Sequence, residues 1–269
     1  MDLTQRLLDF FGKIAVKIEP IKSYGPFHLI FAVVGISLAV FLAWKLRKLS
    51  DKGHRRVLLI LSTLLITAEV FKMFFLIYAI NGGQFQWGEL SFQLCSVPMY
   101  LAFLASIVKP GKLEGTMLAF LLYFGTLGGI AAYVEPSGMT WIPYLQITLH
   151  SFVWHLLLIF LGLYLFFSRR VGIKWSDYGR ATALYLGLCC FAFILNLMLW
   201  GPSEGSINMF FIGPRVSSLV IIHDIGMKYG WWVGTLVYIP VLCLGGLILF
   251  AINRLVRKKV WKEKHTNAV

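Results

Sequence analysis

Residues 26–46 read PFHLIFAVVGISLAVFLAWKL, and Lys45 is the only Asp, Glu, Lys or Arg in this run. An α-helix needs about 20 mostly apolar residues to cross the hydrocarbon core of a bilayer. The run therefore predicts a transmembrane helix. The whole chain agrees, because 58% of its 269 residues are hydrophobic and only 14% are charged. A soluble domain of this length is much less apolar, so the sequence predicts an integral membrane protein.

Further apolar runs of comparable length follow the first one along the chain. Each holds about 20 residues, which is enough to cross a bilayer as a helix. The predicted fold class is therefore all-α, a polytopic bundle of seven transmembrane helices within residues 26–252. The predicted spans are Pro26–Leu46, Leu58–Ile80, Leu90–Val108, Leu113–Val134, Ile147–Phe167, Ala181–Trp200 and Trp231–Ile252.

The formal net charge of +13 sits in short clusters of Lys and Arg between the apolar runs. Such clusters report membrane topology, because cytoplasmic loops are enriched in Lys and Arg, and this distribution argues against nucleic-acid binding. The loops 81–89 and 135–146 contain no Lys or Arg. We expect a multi-pass protein of the cell membrane with its N-terminus outside and a basic cytoplasmic tail that contacts anionic headgroups. The basic segments are residues 47–56, 109–112, 169–180 and the tail, 253–269.

Residues 1–25 precede the first span and carry an amphipathic pattern. Apolar side chains recur at helical spacing, and charged side chains fill the opposite face. Charges interrupt the segment too often for it to be a signal peptide. A helix lying in the membrane interface is the simplest interpretation, and a helix packed over the mouth of the bundle is the alternative. The apolar face consists of Leu3, Leu7, Phe10, Phe11, Ile14 and Ile18.

The third predicted span opens with SFQLCSVPMY, residues 91–100, which places a thiol, an amide and hydroxyls in its first turns. Polar groups inside hydrocarbon are costly unless they are paired or used, so this stretch is a candidate functional site. The predicted topology and a rise of about 1.5 Å per residue place the other unusual polar residues in the same outer half of the membrane. We therefore expect a cavity that opens to the outer side. Its predicted members are Cys95, Gln93, Glu69, Lys72, His150, His155 and Asn196.

Cysteine and histidine are the residue types that thiol-dependent acyl transfer requires. A cysteine attacks as thiolate, and an adjacent histidine takes its proton and later returns it to the leaving group. Gln93, Asn196 or a backbone N–H is a candidate donor to the developing oxyanion. Depth in the membrane favours His150 as the partner of Cys95. The alternative for each residue is structural, because a cysteine commonly fills space and a histidine commonly hydrogen-bonds a neighbouring helix.

Glu69 and Lys72 are three positions apart, so they lie on one helix face and are expected to form a buried ion pair. The pair would shape the cavity floor, with Lys72 placed to hold a lipid phosphate or carboxylate. His150 and His155 lack the H-E-x-x-H spacing of a zinc site, and the four cysteines show no C-x-x-C spacing. No metal and no cofactor is therefore predicted.

Four short motifs stand out: QLCS at 93–96, GTLGGIA at 125–131 leading to Pro136, SFVWH at 151–155 and INMF at 207–210. Together they resemble the YwaF-like bacterial integral membrane family, relatives of transmembrane protein 164. The eukaryotic member is similar to a thiol-dependent phospholipid acyltransferase, and the resemblance implies Cys95 and His155 as the catalytic pair. Bacterial relatives often carry a histidine where this chain has Gln93, and a glutamine cannot exchange protons.

Two functions from different classes follow as hypotheses. The first is a thiol-dependent lipid acyltransferase or lipid hydrolase that acts on a membrane phospholipid or acyl lipid. The second is a non-enzymatic transporter or lipid-binding membrane protein that uses the Glu69 and Lys72 cavity without covalent chemistry. In both hypotheses the lipid bilayer is the partner, and the oligomeric state stays open. The long last loop, residues 201–230, is interpreted as a lid or re-entrant cap over the cavity, or as a surface loop.

Overall fold

The computed structural model describes residues 2–266, with side chains described up to residue 259. Within that part of the chain the structure is all-α, as predicted, and holds no strand beyond one isolated bridge between Lys17 and Tyr144. Lys262 and Lys264 of the predicted tail lie outside the described side chains. The helices are α1 (Leu3–Ile14), α2 (Pro26–Leu46), α3 (Asp51–Phe75), α4 (Val97–Ile107), α5 (Lys112–Phe120), α6 (Thr126–Val134), α7 (Ser137–Thr140), α8 (Leu145–Ser168), α9 (Trp175–Met198), α10 (Val220–Tyr229) and α11 (Trp231–Thr266).

Six segments of the described chain are long enough and apolar enough to cross a membrane. Two of them contain a π-helical turn, since α3 continues through Leu76–Ile80 and α5 runs through Leu121–Gly125 into α6. These segments make the chain a multi-pass membrane protein. They are Pro26–Leu46, Asp51–Ile80, Lys112–Val134, Leu145–Ser168, Trp175–Met198 and Trp231–Lys259.

The third predicted span, residues 90–108, contains only a short helix. α4 has 11 residues, which is about 16 Å at the usual rise per residue. Residues 91–96 form bends and turns instead of helix. Pro98 explains where α4 begins, because proline is favoured in the first helical turn and disrupts the interior. The count of seven spans is therefore not confirmed.

Two membrane helices begin earlier than their apolar runs. α3 begins at Asp51, where the Ser50 hydroxyl caps it by accepting a hydrogen bond from the Gly53 N–H at 3.3 Å. α9 begins at Trp175, and the Asp177 carboxylate accepts the Lys174 N–H at 2.8 Å. Capping groups decide where a helix starts. Charged residues end an apolar run without ending the helix. The predicted starts, Leu58 for α3 and Ala181 for α9, were therefore several residues too far along the chain.

The segment from α5 to α6 is the centre of the bundle. In its most apolar stretch 67% of residues are buried, against 11% for α2, which lies at the periphery. The π turn Leu121–Gly125 is buried throughout. Within it Phe124 stacks on Tyr185 of α9 with ring centroids 4.7 Å apart. This core helix is the wall against which α4, α8, α9 and α11 pack.

The bundle has two chemically different ends. Arg55, near the start of α3, donates to the Val108 carbonyl at 2.6 Å, so the end of α4 lies beside the start of α3. Ser91 donates to Glu69 at 2.5 Å, so the approach to α4 lies near the end of α3. Residues 91–108 therefore run antiparallel to α3, beside its residues 55–69. We call the end near Arg55 the basic end and the end near Glu69 the cavity end.

α1 packs on the cavity end of the bundle. Phe11 is buried among aromatic rings of the α3 segment, with centroids 6.1 Å from Phe71 and 6.0 Å from Tyr78. Leu3 and Phe10 on its other side are exposed. The structure thus supports packing of α1 over the bundle mouth, and contact of α1 with a membrane surface stays a prediction.

The chain between α9 and α10 enters the bundle. Residues 207–212, which we call the inserted segment, contain a 3₁₀ turn at Met209–Phe211. Ile207, Met209 and Phe210 are fully buried. Phe210 and Phe211 have φ of 56° and 57°, a left-handed conformation that bulky residues rarely adopt. Burial of these side chains offsets that strain, so the segment is a structural plug and not an ordinary surface loop.

Candidate functional site

A cavity of about 140 Å³ lies at the cavity end of the bundle. Four parts of the chain supply its polar walls: the last turns of α3, the 3₁₀ turn that ends at Glu89, the turn before α4 and the first turns of α8. Residues 138–142, in and after α7, form part of its rim. Five of the seven predicted site residues line it, namely Cys95, His150, His155, Glu69 and Lys72.

Cys95 lies in the turn that leads into α4 and carries a free thiol. Its carbonyl oxygen accepts a hydrogen bond from the Trp154 indole Nε1 at 3.0 Å. On the α6 side a Cβ added to Gly128 would lie 3.9 Å from the Cys95 Cα. The backbone of Cys95 is therefore held between α6 and α8, while its side chain lines the cavity.

His155 lies one turn into the bundle from Ser151 on α8. Its Nδ1 is 2.7 Å from the Ser151 carbonyl oxygen. A carbonyl only accepts hydrogen bonds, so Nδ1 carries a proton and Nε2 of the neutral ring keeps its lone pair. α6 packs closely here, because a Cβ added to Gly129 would lie 3.0 Å from the His155 carbonyl oxygen. His155 thus presents a rigidly held, unprotonated ring nitrogen.

Glu69 is the centre of a charged cluster in the same cavity. Its carboxylate is 2.6 Å from the Lys72 ammonium, accepts the Ser91 hydroxyl at 2.5 Å and lies 3.4 Å from His150 Nε2. Glu69 is only 4% exposed, and a buried carboxylate is stable only when it is paired and hydrogen-bonded. The expected Glu69 and Lys72 pair therefore exists, and it has two further partners.

The thiol and the two histidines occupy one cavity with separate hydrogen-bond partners. His155 is bound to Ser151, and His150 faces Glu69. Neither recorded contact ties a ring to the Cys95 thiol. The structure therefore brings the thiol and both histidines into one cavity without a direct hydrogen bond between them.

Trp154 links the parts of the cavity, although sequence analysis assigned it no role beyond its place in a motif. Its ring stacks on His150 with centroids 5.2 Å apart, and its Nε1 holds the Cys95 carbonyl. Its four-residue spacing from His150 was the available signal, because residues at i and i+4 lie on one helix face. The contacts of Glu69 with Ser91 and His150 were also missed, since they join three separate segments.

Gln93 and Asn196 do not line the cavity. Gln93 Nε2 donates to the Asn208 carbonyl at 2.9 Å. The Asn196 amide donates to the Met209 carbonyl at 2.9 Å and accepts the Met209 N–H at 2.7 Å. Both side chains thus hold the inserted segment, which itself is absent from the cavity wall. The predicted depth of Gln93 and Asn196 along their helices does not determine the direction in which their side chains point.

The described residues contain no group of three or more His, Cys, Asp or Glu side chains that could hold a metal ion. The side chains that line the cavity supply thiol, imidazole, ammonium, hydroxyl and carboxylate groups.

Comparison with known families gives one result. The model of the TMEM164 family matches residues 23–250. This chain belongs to the TMEM164 family. No curated protein and no solved structure matches it significantly.

The region that matches the TMEM164 family includes every residue that lines the cavity, from Glu69 to His155. It also includes the inserted segment with its Asn196 clamp. Residues 3–14, which form α1, lie before the match. The integral membrane bundle and its cavity are therefore the part that this chain shares with the TMEM164 family.

Proposed function

We propose that this member of the TMEM164 family is a thiol-dependent lipid acyltransferase or lipid hydrolase. Cys95 is the nucleophile and His155 is the general base and acid. The observation that carries the proposal is that both side chains line one cavity while the Ser151 carbonyl leaves His155 Nε2 free to accept a proton. A thiol next to such a base is an activated nucleophile.

The first half-reaction forms an acyl-enzyme. His155 Nε2 takes the proton of the Cys95 thiol while Sγ attacks the carbonyl carbon of a lipid ester. The carbon–sulfur bond forms, the ester C–O bond breaks, and the leaving alcohol takes the proton from Nε2. The products are an acyl thioester on Cys95 and a deacylated lipid.

The second half-reaction returns the enzyme to its starting state. An acceptor hydroxyl gives its proton to His155 Nε2 and attacks the thioester carbonyl. The C–S bond breaks, and the Cys95 thiolate regains the proton from Nε2. A lysolipid hydroxyl as acceptor gives acyl transfer, whereas water gives hydrolysis.

Each tetrahedral intermediate carries a negative oxygen that needs a hydrogen-bond donor. Gln93 and Asn196 were expected to serve, but their amides hold the inserted segment. We assign this role to Ser96, which lines the cavity directly after Cys95. Lys72, in the same cavity, is the group that would bind a lipid phosphate or carboxylate.

Placement in the bilayer follows from the distribution of charge. The basic end is the cytoplasmic side by the positive-inside rule, which puts the cavity end outside, the N-terminus outside and residues 253–269 in the cytoplasm. Residues 91–108 form a seventh crossing of the bundle within residues 26–252, through the short α4. Residues 1–25 lie at the outer interface, where the exposed Leu3 and Phe10 contact lipid.

The test is acyl release or transfer by the purified full-length chain. Vesicles of a phospholipid with a radiolabelled oleoyl group are incubated with the protein, with and without added lysolipid. We expect labelled product with the unmodified chain and its loss in Cys95→Ser and His155→Gln. Cys190→Ser is the matched control, because Cys190 is a free, exposed cysteine on α9 outside the cavity.

The charged cluster around Glu69 favours a second candidate function, a transporter or lipid-binding protein without covalent chemistry. A buried carboxylate with three partners is typical of intramembrane binding sites. In that case Cys95→Ser would leave lipid binding or flux unchanged, while Glu69→Gln would abolish it. Cys95→Ser therefore separates the two functions, because it abolishes acyl transfer in the first case and leaves lipid binding or flux unchanged in the second.

A further inference from the structure

A long apolar groove runs along the outside of the bundle, away from the Cys95 cavity. It lies between α2, α3 and α8 and has a volume of about 920 Å³. Its wall at the basic end is formed by Leu38 and Leu42 of α2, Ile60 and Leu64 of α3, and Phe160 of α8.

The wall of the groove carries no polar side chain, and its residues are all aliphatic, aromatic or glycine. Water needs two or more polar partners to occupy a site, so water is not a stable occupant. A groove left empty forfeits the van der Waals contacts of its wall. Hydrocarbon is the occupant that such a surface fits.

Two basic residues stand at the end of the groove. Lys45 is three positions after Leu42 on α2, and Arg56 is four positions before Ile60 on α3. Residues three or four apart share a helix face, so both side chains continue the two groove walls at the basic end. Lys45 and Arg56 are exposed.

Neither of these charges is neutralised by the protein as described. Among the described residues, the ion pairs at the basic end join Arg55 to Glu114, Arg170 to Asp51 and Arg180 to Asp177, and none involves Lys45 or Arg56. The Lys45 ammonium lies 5.8 Å from the centroid of the Phe41 ring, and an aromatic face leaves its positive charge in place. An apolar groove that ends at two cations without a carboxylate partner is complementary to an anionic lipid, with hydrocarbon in the groove and the phosphate at its mouth. Basic pockets between membrane helices bind anionic headgroups in this way.

We propose that the groove between α2, α3 and α8 is a binding site for an anionic phospholipid of the leaflet that contacts the basic end. One acyl chain lies between Leu42, Ile60 and Phe160, and the phosphate lies between Lys45 and Arg56. The site is separate from the Cys95 cavity and does not depend on the proposed acyl chemistry.

The experiment compares two lipids that differ only in headgroup charge. The purified full-length chain in neutral detergent is titrated with dioleoyl phosphatidylglycerol or dioleoyl phosphatidylcholine, and bound lipid is counted by native mass spectrometry. We expect tighter binding of the anionic lipid. We expect the double variant Lys45→Gln/Arg56→Gln to weaken that binding by about 30-fold, since each basic group near the surface adds about a factor of five.

Two matched controls test whether the effects depend on the groove itself, and not on the net charge of the protein or on the bulk of an added tryptophan. Lys109→Gln/Lys112→Gln removes two exposed charges, one from the loop before α5 and one from the first residue of α5, and it should change binding little. Ile60→Trp fills the groove, whereas Ile248→Trp changes a residue of α11 that is equally exposed, at 60%. Only Ile60→Trp should weaken binding of the anionic lipid.

Three outcomes overturn the proposal. They are equal binding of the two lipids, an equal loss in the two double charge variants, and unchanged binding in Ile60→Trp. All substituted side chains lie on the exposed surface of the bundle. Every variant should therefore fold, and thermal unfolding in detergent checks this.

Discussion

The indole Nε1 of Trp154 lies 3.0 Å from the carbonyl oxygen of Cys95, and the same indole ring stacks on His150. One side chain of α8 thus fixes the turn that carries the thiol and orders the charged side of the cavity. The turn at residues 91–96 has no regular helix to hold it. Its position relative to His155 therefore depends on contacts of this kind.

Trp154→Phe should keep most of the ring packing and remove the hydrogen bond to Cys95. A buried carbonyl left without its donor costs about 1–3 kcal/mol, so we expect a lower free energy of unfolding and slower acyl-enzyme formation. Trp175→Phe is the control, since Trp175 is 60% exposed at the start of α9. Equal effects of the two substitutions on acylation would contradict the positioning role of Trp154.

Glu69→Gln should destabilise the bundle strongly, because it leaves the Lys72 ammonium without its carboxylate partner inside the protein. Breaking one partner of a buried pair costs about 3–5 kcal/mol, whereas replacing both partners by apolar groups is often nearly neutral. The double variant Glu69→Leu/Lys72→Met should therefore be more stable than Glu69→Gln alone. Thermal unfolding in detergent measures the stability of the two variants. A double variant that is less stable than Glu69→Gln would contradict the view that Glu69 and Lys72 stabilise the bundle as a pair.

Asn196→Ala should lower the stability of the protein but leave its acyl-transfer activity unchanged. The change leaves the Met209 N–H and two carbonyls of the inserted segment without their partner, at a cost of about 1–3 kcal/mol per buried group. We expect a lower unfolding temperature and unchanged acyl transfer per folded molecule, measured on the same preparation. Asn81→Ala serves as the control amide outside this segment. Loss of activity with unchanged stability would instead indicate that Asn196 belongs to the catalytic site.

Gly162→Ala should disrupt the contact between α8 and α6. A Cβ at Gly162 would lie 1.7 Å from the Thr126 hydroxyl oxygen, whereas a Cβ at Gly187 of α9 meets no atom within 4 Å. Overpacking of this kind costs about 1–3 kcal/mol. Gly187→Ala should be neutral or slightly stabilising, because alanine favours helix over glycine. Similar unfolding temperatures of the two variants would contradict this packing.

The membrane class was predictable because the length and polarity of an apolar run decide whether it can cross a bilayer. Six of the predicted runs correspond to helices long enough to do so. The run at 90–108 was not predictable in the same way. Its apolar composition resembles a span, but Pro98 and the polar residues before it favour turns. Tertiary contacts such as the Trp154 hydrogen bond to Cys95 stabilise these turns.

The members of the cavity were predicted from their residue types, their motifs and their depth, and Cys95, His150, His155, Glu69 and Lys72 line one cavity. Depth could not distinguish these five residues from Gln93 and Asn196, which were predicted at a similar depth but contact the inserted segment. The rotation of each helix about its axis is decided by packing across distant segments, and a single sequence does not specify it. The contacts of Glu69 with Ser91 and His150 were unpredictable for the same reason.

The central claim is that Cys95 carries an acyl group during turnover, and intact-protein mass measurement tests it directly. The full-length chain is incubated with dioleoyl phospholipid vesicles, quenched in acid and weighed. The account predicts an added oleoyl group that hydroxylamine removes, that maps to Cys95, and that is absent in Cys95→Ser and strongly reduced in His155→Gln. An adduct that persists in Cys95→Ser, or product formation by the unmodified chain with no thioester under single-turnover conditions, would contradict it.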